Sequence, residues 1–313
     1  MASDTNEVIR LSGMEFLVKK IEAVCSGVAC SKIIFRLIRP DAPRNQVRLI
    51  DVGGQSFHES GHVDPEQTGE LPMSPRWVLL TAISGIDLGG KLLVFAVGDI
   101  HGMSDKLDSL LDSCGRYADG RPHRFVFLGD YIDRGEDSRG VIEQLIGLQM
   151  RAAQSVFIRG NHEQMLLDAL QSPEAELHWN MNGGLLTLES YGAANVFQIP
   201  EDHVRWVRSL QMMFDDGLRL YVHAGVHPWR KRQSPKHLLW IREPFLSSKR
   251  EFGRLVVHGH TPTESRAPEL RPNRLNLDTG AVYGGPLTAA VFNDRDREPI
   301  GFIQSRSPAP LIR

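Results

Sequence analysis

The sequence predicts an α/β protein in which central β-sheets are sandwiched by helices. From about residue 91 onward, short apolar runs alternate with longer amphipathic stretches. Within the longer stretches, apolar residues recur at helical spacing, as Leu107, Leu110 and Leu111 do,. A repeated strand-helix order of this kind implies parallel strands packed between helices. Several apolar runs also end in glycine followed by a polar side chain, which places polar groups at the ends of strands.

The alternation begins with three strand-helix pairs and continues with further strands. The first three strands are KLLVFAV, HRFVFL and SVFI, at 91–97, 123–128 and 155–158. The helices that follow them are expected at 103–117, 137–152 and 162–172. Four later strands are expected at 218–225 (LRLYVHAG), 254–260 (RLVVHGH), 274–280 (RLNLDTG) and 286–292 (PLTAAVF),.

Residues 1–90 have a different character and form an N-terminal extension without a chemical motif. Prolines and glycines are scattered through it, and only 13–28 (GMEFLVKKIEAVCSGV) suggests a helix,. We expect the extension to be poorly ordered, or to lie upstream of the true start with Met73 as one candidate initiator. A structured accessory domain is the alternative.

Composition narrows the classes of function and the cellular compartment. The 36 Lys and Arg residues nearly balance the 38 Asp and Glu residues, so the net charge is −2. The chain therefore lacks the overall positive charge that is typical of nucleic-acid-binding proteins. Basic residues can still cluster locally. The three cysteines, Cys25, Cys30 and Cys114, have no CxxC spacing, which argues against a disulfide framework or a zinc-thiolate site,. A reducing cytoplasm fits best.

Neither a secretory signal nor a membrane span is expected. The chain begins with MASDTNEVIR, which lacks a basic region followed by an unbroken apolar stretch,. The stretch 77–97 is about as long as a membrane span, but Asp87, Lys91 and three glycines interrupt it,. Its second half also belongs to the strand predicted before Asp99.

Six polar residues follow apolar runs and supply carboxylate, imidazole and amide oxygen groups. They are Asp99, His101, Asp130, Asn161, His223 and His260. Because ligands bind beyond the carboxyl ends of strands in α/β sheets, these side chains are expected to converge in one crevice. The absence of thiolates argues for Mn²⁺, Fe or Zn²⁺ in a catalytic role. Two ions roughly 3.5–4 Å apart could share one carboxylate, and Asp130 is the natural bridge.

The ordered motifs GDIHG, GDYIDRG, RGNHE, HAGV and HGHTP resemble those of the calcineurin-like metallophosphoesterases. The match is closest to the phosphoprotein-phosphatase branch, as in bacterial and lambda-phage serine/threonine phosphatases, and spans roughly 92–292. Each motif alone is weak, whereas the ordered set is specific. The resemblance implies the calcineurin-like metallophosphoesterase fold and makes 91–313 the catalytic domain.

Residue by residue, the resemblance also implies roles. Asp99 and His101 would hold the first metal, Asp130 would bridge, and Asn161, His223 and His260 would hold the second. His162, oriented by Asp133, would protonate the leaving alkoxide. Arg134, Arg159 and, from the segment LWIREPF, Arg242 would bind the phosphoryl oxygens,. Two divalent ions, Mn²⁺ before Fe or Zn²⁺, would be the cofactors, and a hydroxide between them would attack the phosphate ester directly.

Three features near the motifs have less specific interpretations. His258 lies two residues before His260, but the family motif aligns with His260. Pro262 stands where many broader metallophosphoesterases carry another histidine, which favours the protein-phosphatase branch. The stretch 179–192 (WNMNGGLLTLESYG) resembles a segment of bacterial members that covers the cleft, either as a lid or as packing. The other histidines are expected to be surface or structural residues: His58, His62, His123, His178, His203, His227 and His237.

Three functions remain in competition. The first is a serine/threonine protein phosphatase acting on a phosphoprotein or small phosphoester. The second is a symmetrical diadenosine-tetraphosphate hydrolase, but such enzymes tend to vary the aspartate of DRG and carry Asp after GNH, where this chain has Asp133 and Glu163. The third, a non-catalytic metal-binding scaffold, fits poorly because every ligand and His162 are present. The pattern leaves the oligomeric state open and predicts no membrane or nucleic-acid partner.

Overall fold

The computed structural model describes residues 7–11, 14–26, 29–38, 48–51 and 92–305. The chain divides into two units, Met1–Gly89 and Gly90–Arg313. The candidate initiator Met73 lies outside the described residues. Within the described residues, no helix has both the length and the apolar character needed to cross a membrane.

The first unit contains an antiparallel sheet of four strands in the order β1-β2-β3-β4. The strands are β1 (Glu7–Leu11), β2 (Met14–Ser26), β3 (Ala29–Ile38) and β4 (Arg48–Asp51). The helix suggested for 13–28 is therefore wrong, because β2 occupies that stretch. Ser26 pairs with Ala29, so β2 and β3 form a hairpin, and β-branched residues such as Val18, Ile21 and Val24 favour the strand,.

The second unit holds the elements predicted from the alternating pattern. Its strands are β5 (Leu93–Val97), β6 (His123–Phe127), β7 (Val156–Phe157), β8 (Met213–Asp215), β9 (Arg219–Val222), β10 (Leu255–His258), β11 (Glu269–Arg271), β12 (Arg274–Asn276), β13 (Thr288–Phe292) and β14 (Gly301–Gln304). Its helices are α1 (Ser104–Ala118), α2 (Ser138–Arg151), α3 (Asn161–Ala169), α4 (Pro173–Trp179), α5 (Leu185–Tyr191), α6 (Glu201–Ser209) and α7 (Pro235–Trp240). A π-helical turn, Asn180–Gly184, joins α4 to α5.

These strands form two five-stranded mixed sheets. In the first, with the order β14-β13-β5-β6-β7, strands β5, β6 and β7 are parallel and β13 runs antiparallel to β5. In the second, with the order β11-β12-β10-β9-β8, the three central strands are parallel and the two edges antiparallel. The predicted α/β class and parallel core are confirmed.

Burial on both faces explains why the central strands are continuous apolar runs. Along β5, Val94 and Ala96 pack against residues of the second sheet, such as Val257, in a core between the two sheets. Phe95 and Val97 face the opposite way, into a core shared with the helices α1 to α3. A strand covered on both sides needs apolar residues at every position, which removes the polar alternation of a half-exposed strand.

The edge strands β8, β11 and β14 were not predicted from the sequence. Each has only three or four residues, and none is an apolar run. In β14, partly buried and exposed residues alternate, and Phe302 is among the exposed ones. Such strands exist because a neighbouring strand offers backbone partners, and their own side chains carry little signal.

A chain that starts at Pro75 is expected to unfold cooperatively at nearly the same temperature as the full chain. Every strand and helix of the second unit lies beyond residue 92, and residues of this unit form three apolar clusters. Thermal unfolding followed by circular dichroism compares the two proteins. Aggregation or a large drop in melting temperature would show that residues before 75 are structurally required.

Candidate active site and metal centre

All six residues predicted to bind metal lie just beyond the carboxyl ends of strands. Asp99 and His101 follow β5, Asp130 follows β6, Asn161 follows β7, His223 follows β9 and His260 follows β10. Each is buried. Because the parallel strands of each sheet end at a common edge, residues far apart in sequence meet there.

The backbone at the site adopts an unusual conformation. His101, Asp130, Asp133, Arg134 and His260 have φ of 48°, 50°, 73°, 69° and 67°. Residues other than glycine rarely occupy this left-handed region, and such residues concentrate at functional sites. Here the conformation turns the chain sharply at the strand ends, so that the side chains point into the crevice.

Three of the predicted ligands form a tight group. The Oδ1 atom of Asn161 lies 2.8 Å from Nε2 of His223 and 2.8 Å from Nδ1 of His260, and the two nitrogens are 3.2 Å apart. A divalent ion with bonds of about 2.1 Å has neighbouring ligand atoms roughly 3 Å apart. The spacing and the mixture of imidazole and oxygen donors therefore fit a divalent metal.

The carboxylate of Asp130 stands between this group and a second one. Its Oδ1 lies 3.4 Å from Nε2 of His223, and its Oδ2 lies 3.5 Å from Nε2 of His101. Two sets of side chains are close enough to hold an ion each, and Asp130 belongs to both: His101, Asp130 and His162, and Asp130, His223 and His260. One oxygen for each set is the geometry expected of a bridging carboxylate.

Buried negative charge gives a second reason to expect cations. Asp99, Asp130 and Asp278 are all buried, and the Asp99 carboxylate accepts the main-chain N–H of His260 at 3.0 Å. Burial and the neighbouring Asp278 and Asp130 raise the pKa of Asp99 well above its usual value. Buried charges of one sign need compensation. Asp278 was not among the predicted site residues, although it follows β12 as the predicted ligands follow their strands.

Main-chain carbonyls orient two of the imidazoles. Nδ1 of His101 lies 2.8 Å from the Ile132 carbonyl oxygen, and Nδ1 of His223 lies 2.9 Å from that of Leu128. Since each Nδ1–H is donated to a carbonyl, each Nε2 is left as the ligand atom. Burial lowers the pKa of His101 to about 4 and that of His260 to about 3. Both imidazoles are therefore neutral, as metal ligation requires.

His162 and Asp133 form the predicted pair. Nδ1 of His162 lies 2.7 Å from Oδ2 of Asp133, and the His162 ring stands at 88° to that of His101 with centroids 4.7 Å apart. His162 also belongs to the set that could hold the first ion. However, its Nδ1 is committed to Asp133, which leaves only Nε2 to face the crevice. An imidazole held in this way can transfer a proton at Nε2.

The Asp133 carboxylate is hydrogen-bonded by two further side chains besides His162. Trp179 donates its Nε1–H to both oxygens at 2.9 and 3.0 Å, and Thr187 donates its hydroxyl at 2.6 Å. The main-chain N–H of Asp133 is donated to the hydroxyls of Ser138 and Thr187. Burial raises the pKa of Asp133 to about 7, while the Thr187 and Trp179 hydrogen bonds lower it.

Trp179 and Thr187 belong to the stretch 179–192, for which lid and packing were both considered. Trp179 is 0 % exposed, and the Gly183 carbonyl accepts the main-chain N–H of Arg134 at 3.3 Å. This part of the stretch is thus packed beneath the site and positions Asp133 and Arg134. The sequence did not predict that Trp179 positions Asp133, because the two residues are far apart in the chain.

Glu163 organises the loop that carries the bridging carboxylate. Its carboxylate accepts main-chain N–H groups of Asp130, Tyr131 and Gly160 at 2.9, 2.7 and 2.9 Å, and that of Ile132 at 3.3 Å. From the sequence, Glu163 was expected to matter only as a family marker. Its position two residues after Asn161, in the first turn of α3, was the available signal,.

The three predicted phosphate-binding arginines have different surroundings. Arg134 reaches the ligands, with Nη1 2.8 Å from Nε2 of His101. Arg242 is exposed, and its charge is one of those that lower the pKa of His260 after burial and His223. The Arg159 guanidinium instead donates to the Gln164 side chain at 3.1 Å and to the Arg208 carbonyl at 2.8 Å. Among the described contacts, none joins it to a metal ligand.

The other described histidines lie apart from both metal sets. His258 is buried against Phe245, with ring centroids 5.0 Å apart, and its Nδ1 lies 3.0 Å from the Gly259 carbonyl. His203 pairs with the Tyr191 hydroxyl at 2.9 Å. The rings of His227 and His237 lie together, His123 packs against Phe95 and Phe125, and the His178 carbonyl accepts from Asn182. His58 and His62 lie outside the described residues.

Residues 92–290 match the family model of the calcineurin-like phosphoesterases. The chain belongs to this family. The match covers both five-stranded sheets, except β14 and the end of β13, and all six residues predicted to bind metal. Membership confirms the resemblance drawn from the five motifs, and the family fold confirms the fold class.

Relatives with named activities fall into two groups. The chain is 35 % identical to serine/threonine-protein phosphatase 1 of Salmonella typhimurium over 207 residues, covering 63 % of this chain and 90 % of the relative. It is 26 % identical over 226 residues to an asymmetrical bis(5'-nucleosyl)-tetraphosphatase of Anoxybacillus flavithermus, covering 64 % and 90 %. A crystal structure of a candidate diadenosine tetraphosphatase superposes with a TM-score of 0.50 at 25 % identity, covering 71 % and 96 %.

Asp130→Asn is expected to lower metal content and nearly abolish phosphoesterase activity, because one substitution weakens both metal sets. Elemental analysis after removal of free metal measures the ions retained per chain. Asp278→Asn is the matched control, since it removes a neighbouring buried charge without removing an atom of either set. An active Asp130→Asn protein that tightly retains two ions would contradict a bridging role for Asp130.

Trp179→Phe combined with Thr187→Val is expected to lower kcat about 10-fold or more, because Asp133 loses two donors that orient it,. Metal content should stay unchanged. The loss should be larger for a phosphoserine peptide than for p-nitrophenyl phosphate, whose leaving group needs less protonation. Trp206→Phe is the control, since it removes an indole donor to Gln149 elsewhere in the same apolar cluster. Equal losses on both substrates would count against the positioning role.

Proposed function

We propose that this protein is a metal-dependent phosphomonoesterase that acts as a serine/threonine protein phosphatase. Family membership supports phosphoester hydrolysis, and the Salmonella relative is named as a serine/threonine phosphatase. The observation that carries the finer proposal is the His162–Asp133 pair, 2.7 Å apart beside both metal sets. A cytoplasmic location, as expected from the cysteines, belongs to the same proposal.

The pair supports an alkyl phosphate ester rather than a phosphoanhydride as the proposed substrate. Release of a serine or threonine side chain leaves a strongly basic alkoxide, which needs a proton as the ester bond breaks. Cleavage of a nucleoside polyphosphate releases a phosphate oxygen that is already a good leaving group. His162 is buried and paired with Asp133, whose carboxylate accepts two further hydrogen bonds, from Trp179 and Thr187. A proton donor positioned in this way contributes most when the substrate is a phosphoserine or phosphothreonine.

Each side chain then has a defined task. Asp99, His101, Asp130, Asn161, His223 and His260 would hold two divalent ions, with Mn²⁺ proposed before Fe or Zn²⁺ because the donors are oxygen and imidazole without thiolate,. The ions supply charge stabilisation and an activated water. Arg134 would bind the phosphoryl oxygens beside His101, and Arg159 and Arg242 would assist after their side chains turn towards the crevice,.

His162 would give its Nε2 proton to the leaving oxygen while Asp133 holds Nδ1. Burial lowers the pKa of His162 to about 4. A dianionic phosphoryl group acts in the opposite direction, because a nearby negative charge favours the imidazolium. Substrate binding therefore favours the protonation state that the acid requires.

Diadenosine-tetraphosphate hydrolysis is the second candidate, because relatives and a solved structure carry that description. The relative is of the asymmetrical kind, whereas the alternative expected from the sequence was the symmetrical kind. Turnover of a phosphoserine peptide and of diadenosine tetraphosphate, each with Mn²⁺ after chelator treatment, decides between the candidates. A much higher kcat/KM for the dinucleotide would overturn the phosphatase proposal.

His162→Asn is expected to reduce kcat on a phosphoserine peptide by about 10²–10⁴, the range for a positioned acid. KM and metal content should change little, because the interaction is made mainly in the transition state. The loss should shrink for p-nitrophenyl phosphate. The control, His258→Asn, makes the same change at a buried histidine outside both sets. Loss of metal from His162→Asn would assign it to ligation instead.

A further inference from the structure

Residues 227–242 form a strongly basic segment beside the site. The sequence HPWRKRQSPKHLLWIR contains no acidic residue, although the whole chain has a net charge of −2. We call Arg230, Lys231, Arg232 and Lys236 the basic rim, and all four are exposed. The exposed side chain of Trp229 lies next to them in sequence.

Within the part of the chain that the structure describes, no ion pair neutralises the charges of the basic rim. Among the described residues, none of the four makes an ion pair, whereas exposed arginines elsewhere, such as Arg139 and Arg208, pair with glutamates. The nearest acid in sequence, Glu243, accepts a hydrogen bond from Ser247 instead. Arg230 and Lys236 add to the positive surroundings that lower the pKa of His237, after burial and His227. Four neighbouring cations without an ion pair to a described residue create a positive local field.

The segment lies against the second metal set. The Leu238 carbonyl in α7 accepts the main-chain N–H of Ala224, the residue after His223, at 2.8 Å. At the end of α7, the Trp240 ring lies 6.1 Å from that of His260. An open, mostly apolar pocket is shared with Gln164 of α3 and is lined by Gln164, Pro235, Lys236, Leu239 and Trp240. The helix that carries Lys236 is therefore next to the second metal set, and Arg230, Lys231 and Arg232 lie on the loop that leads into this helix.

The backbone that carries the basic rim is well defined. The Gln233 side chain closes the loop, accepting the His227 N–H at 2.7 Å and donating to the Arg230 carbonyl at 2.6 Å. Ser234 caps α7 by accepting the His237 N–H. The charges are thus presented on a fixed frame, which limits the backbone entropy lost when a ligand binds.

We propose that the basic rim binds acidic side chains that flank the phosphorylated residue of a protein substrate. This inference rests on the proposed function and names its substrate class: acidic phosphopeptides. Four exposed cations spread along a segment match several carboxylates spread along an extended peptide. The pocket itself offers an apolar surface and Trp240, which suit a side chain of the same peptide.

A nucleotide fits these observations less well. The Gln164 amide is occupied at both ends, since its oxygen accepts from Arg159 and its nitrogen donates to Asp168 at 2.8 Å. One donor and one acceptor position of this amide are therefore used within the protein, which leaves less of it to read the edge of a base. Lys236 is the one charged residue of the pocket lining, while the other rim cations lie along the preceding loop.

Three charge reversals test the proposal: Arg230→Glu, Arg232→Glu and Lys236→Glu in one protein. The matched control reverses Lys249, Arg250 and Arg295, which are also exposed and unpaired among the described residues. Lys249 and Arg250 precede β10, and Arg295 follows β13, which is antiparallel to β5. All three control residues therefore lie towards the edge opposite the metal ligands.

The substrates are three phosphoserine peptides with acidic, neutral or basic flanks, and p-nitrophenyl phosphate. The wild-type protein is expected to prefer the acidic peptide, less so at high salt. The rim variant should lose about 10-fold in kcat/KM on that peptide, mostly through KM, and change less than about two-fold on p-nitrophenyl phosphate. The control variant should match the wild type on all four substrates.

Different results separate failure of the inference from failure of the proposed function. Equal wild-type turnover of the three peptides, or equal losses in rim and control variants, overturns the inference and leaves the phosphatase proposal intact. A similar loss on p-nitrophenyl phosphate also overturns it, because the defect would be catalytic. If diadenosine tetraphosphate is hydrolysed and none of the peptides is, both proposals fail.

Discussion

The Glu163 carboxylate holds the backbone on which the rest of the site depends. By accepting the N–H groups of Asp130, Tyr131 and Ile132, it fixes the loop that presents the bridging carboxylate. The same loop orients His101, because the Ile132 carbonyl accepts from its Nδ1. Glu163 also lies on α3 with Asn161 and His162. The buried Glu163 side chain thus connects the loop of Asp130 with the helix of Asn161 and His162, and so fixes residues of both metal sets and the proposed proton donor relative to one another.

The buried negative charge of the site requires compensation by cations. The site buries several carboxylates together, and burial with mutual repulsion pushes the pKa of Asp99 and of Asp278 upward. The imidazoles of His101 and His260, whose pKa values are lowered by burial, do not compensate these charges, whereas burial of His223 is outweighed by the neighbouring Asp130, so that the pKa of His223 is raised. A cluster of this composition gains most from divalent cations, so folding and metal binding are thermodynamically linked. The Arg134 guanidinium lies in the same negative field, and bound cations would make the site favourable for an anionic ligand.

The sequence predicted the elements and side chains that follow a local pattern, namely an apolar strand and the polar residue after it. It did not predict contacts between residues that are far apart in the chain. Apolar runs buried on both faces predicted β5, β6 and β9, and the polar residues after them, such as Asp130 and His223, lie together as expected. Trp179 and Thr187 were missed because their partner Asp133 is brought to them only by tertiary packing. The helix suggested for 13–28 was wrong because β-branched residues and pairing with β3 outweigh local periodicity,.

The left-handed backbone at five residues of the site has a consequence for protein engineering. A side-chain constellation copied onto another scaffold would not reproduce this centre, since His101, Asp130 and His260 point correctly only from φ values that ordinary strand ends avoid,. The transferable unit is the whole loop with its glycines: a Cβ on Gly160 would meet the Asp130 carboxylate at 2.1 Å. Transplantation therefore has to move main chain, and directed evolution of new activities has more freedom in the basic rim than in these turns.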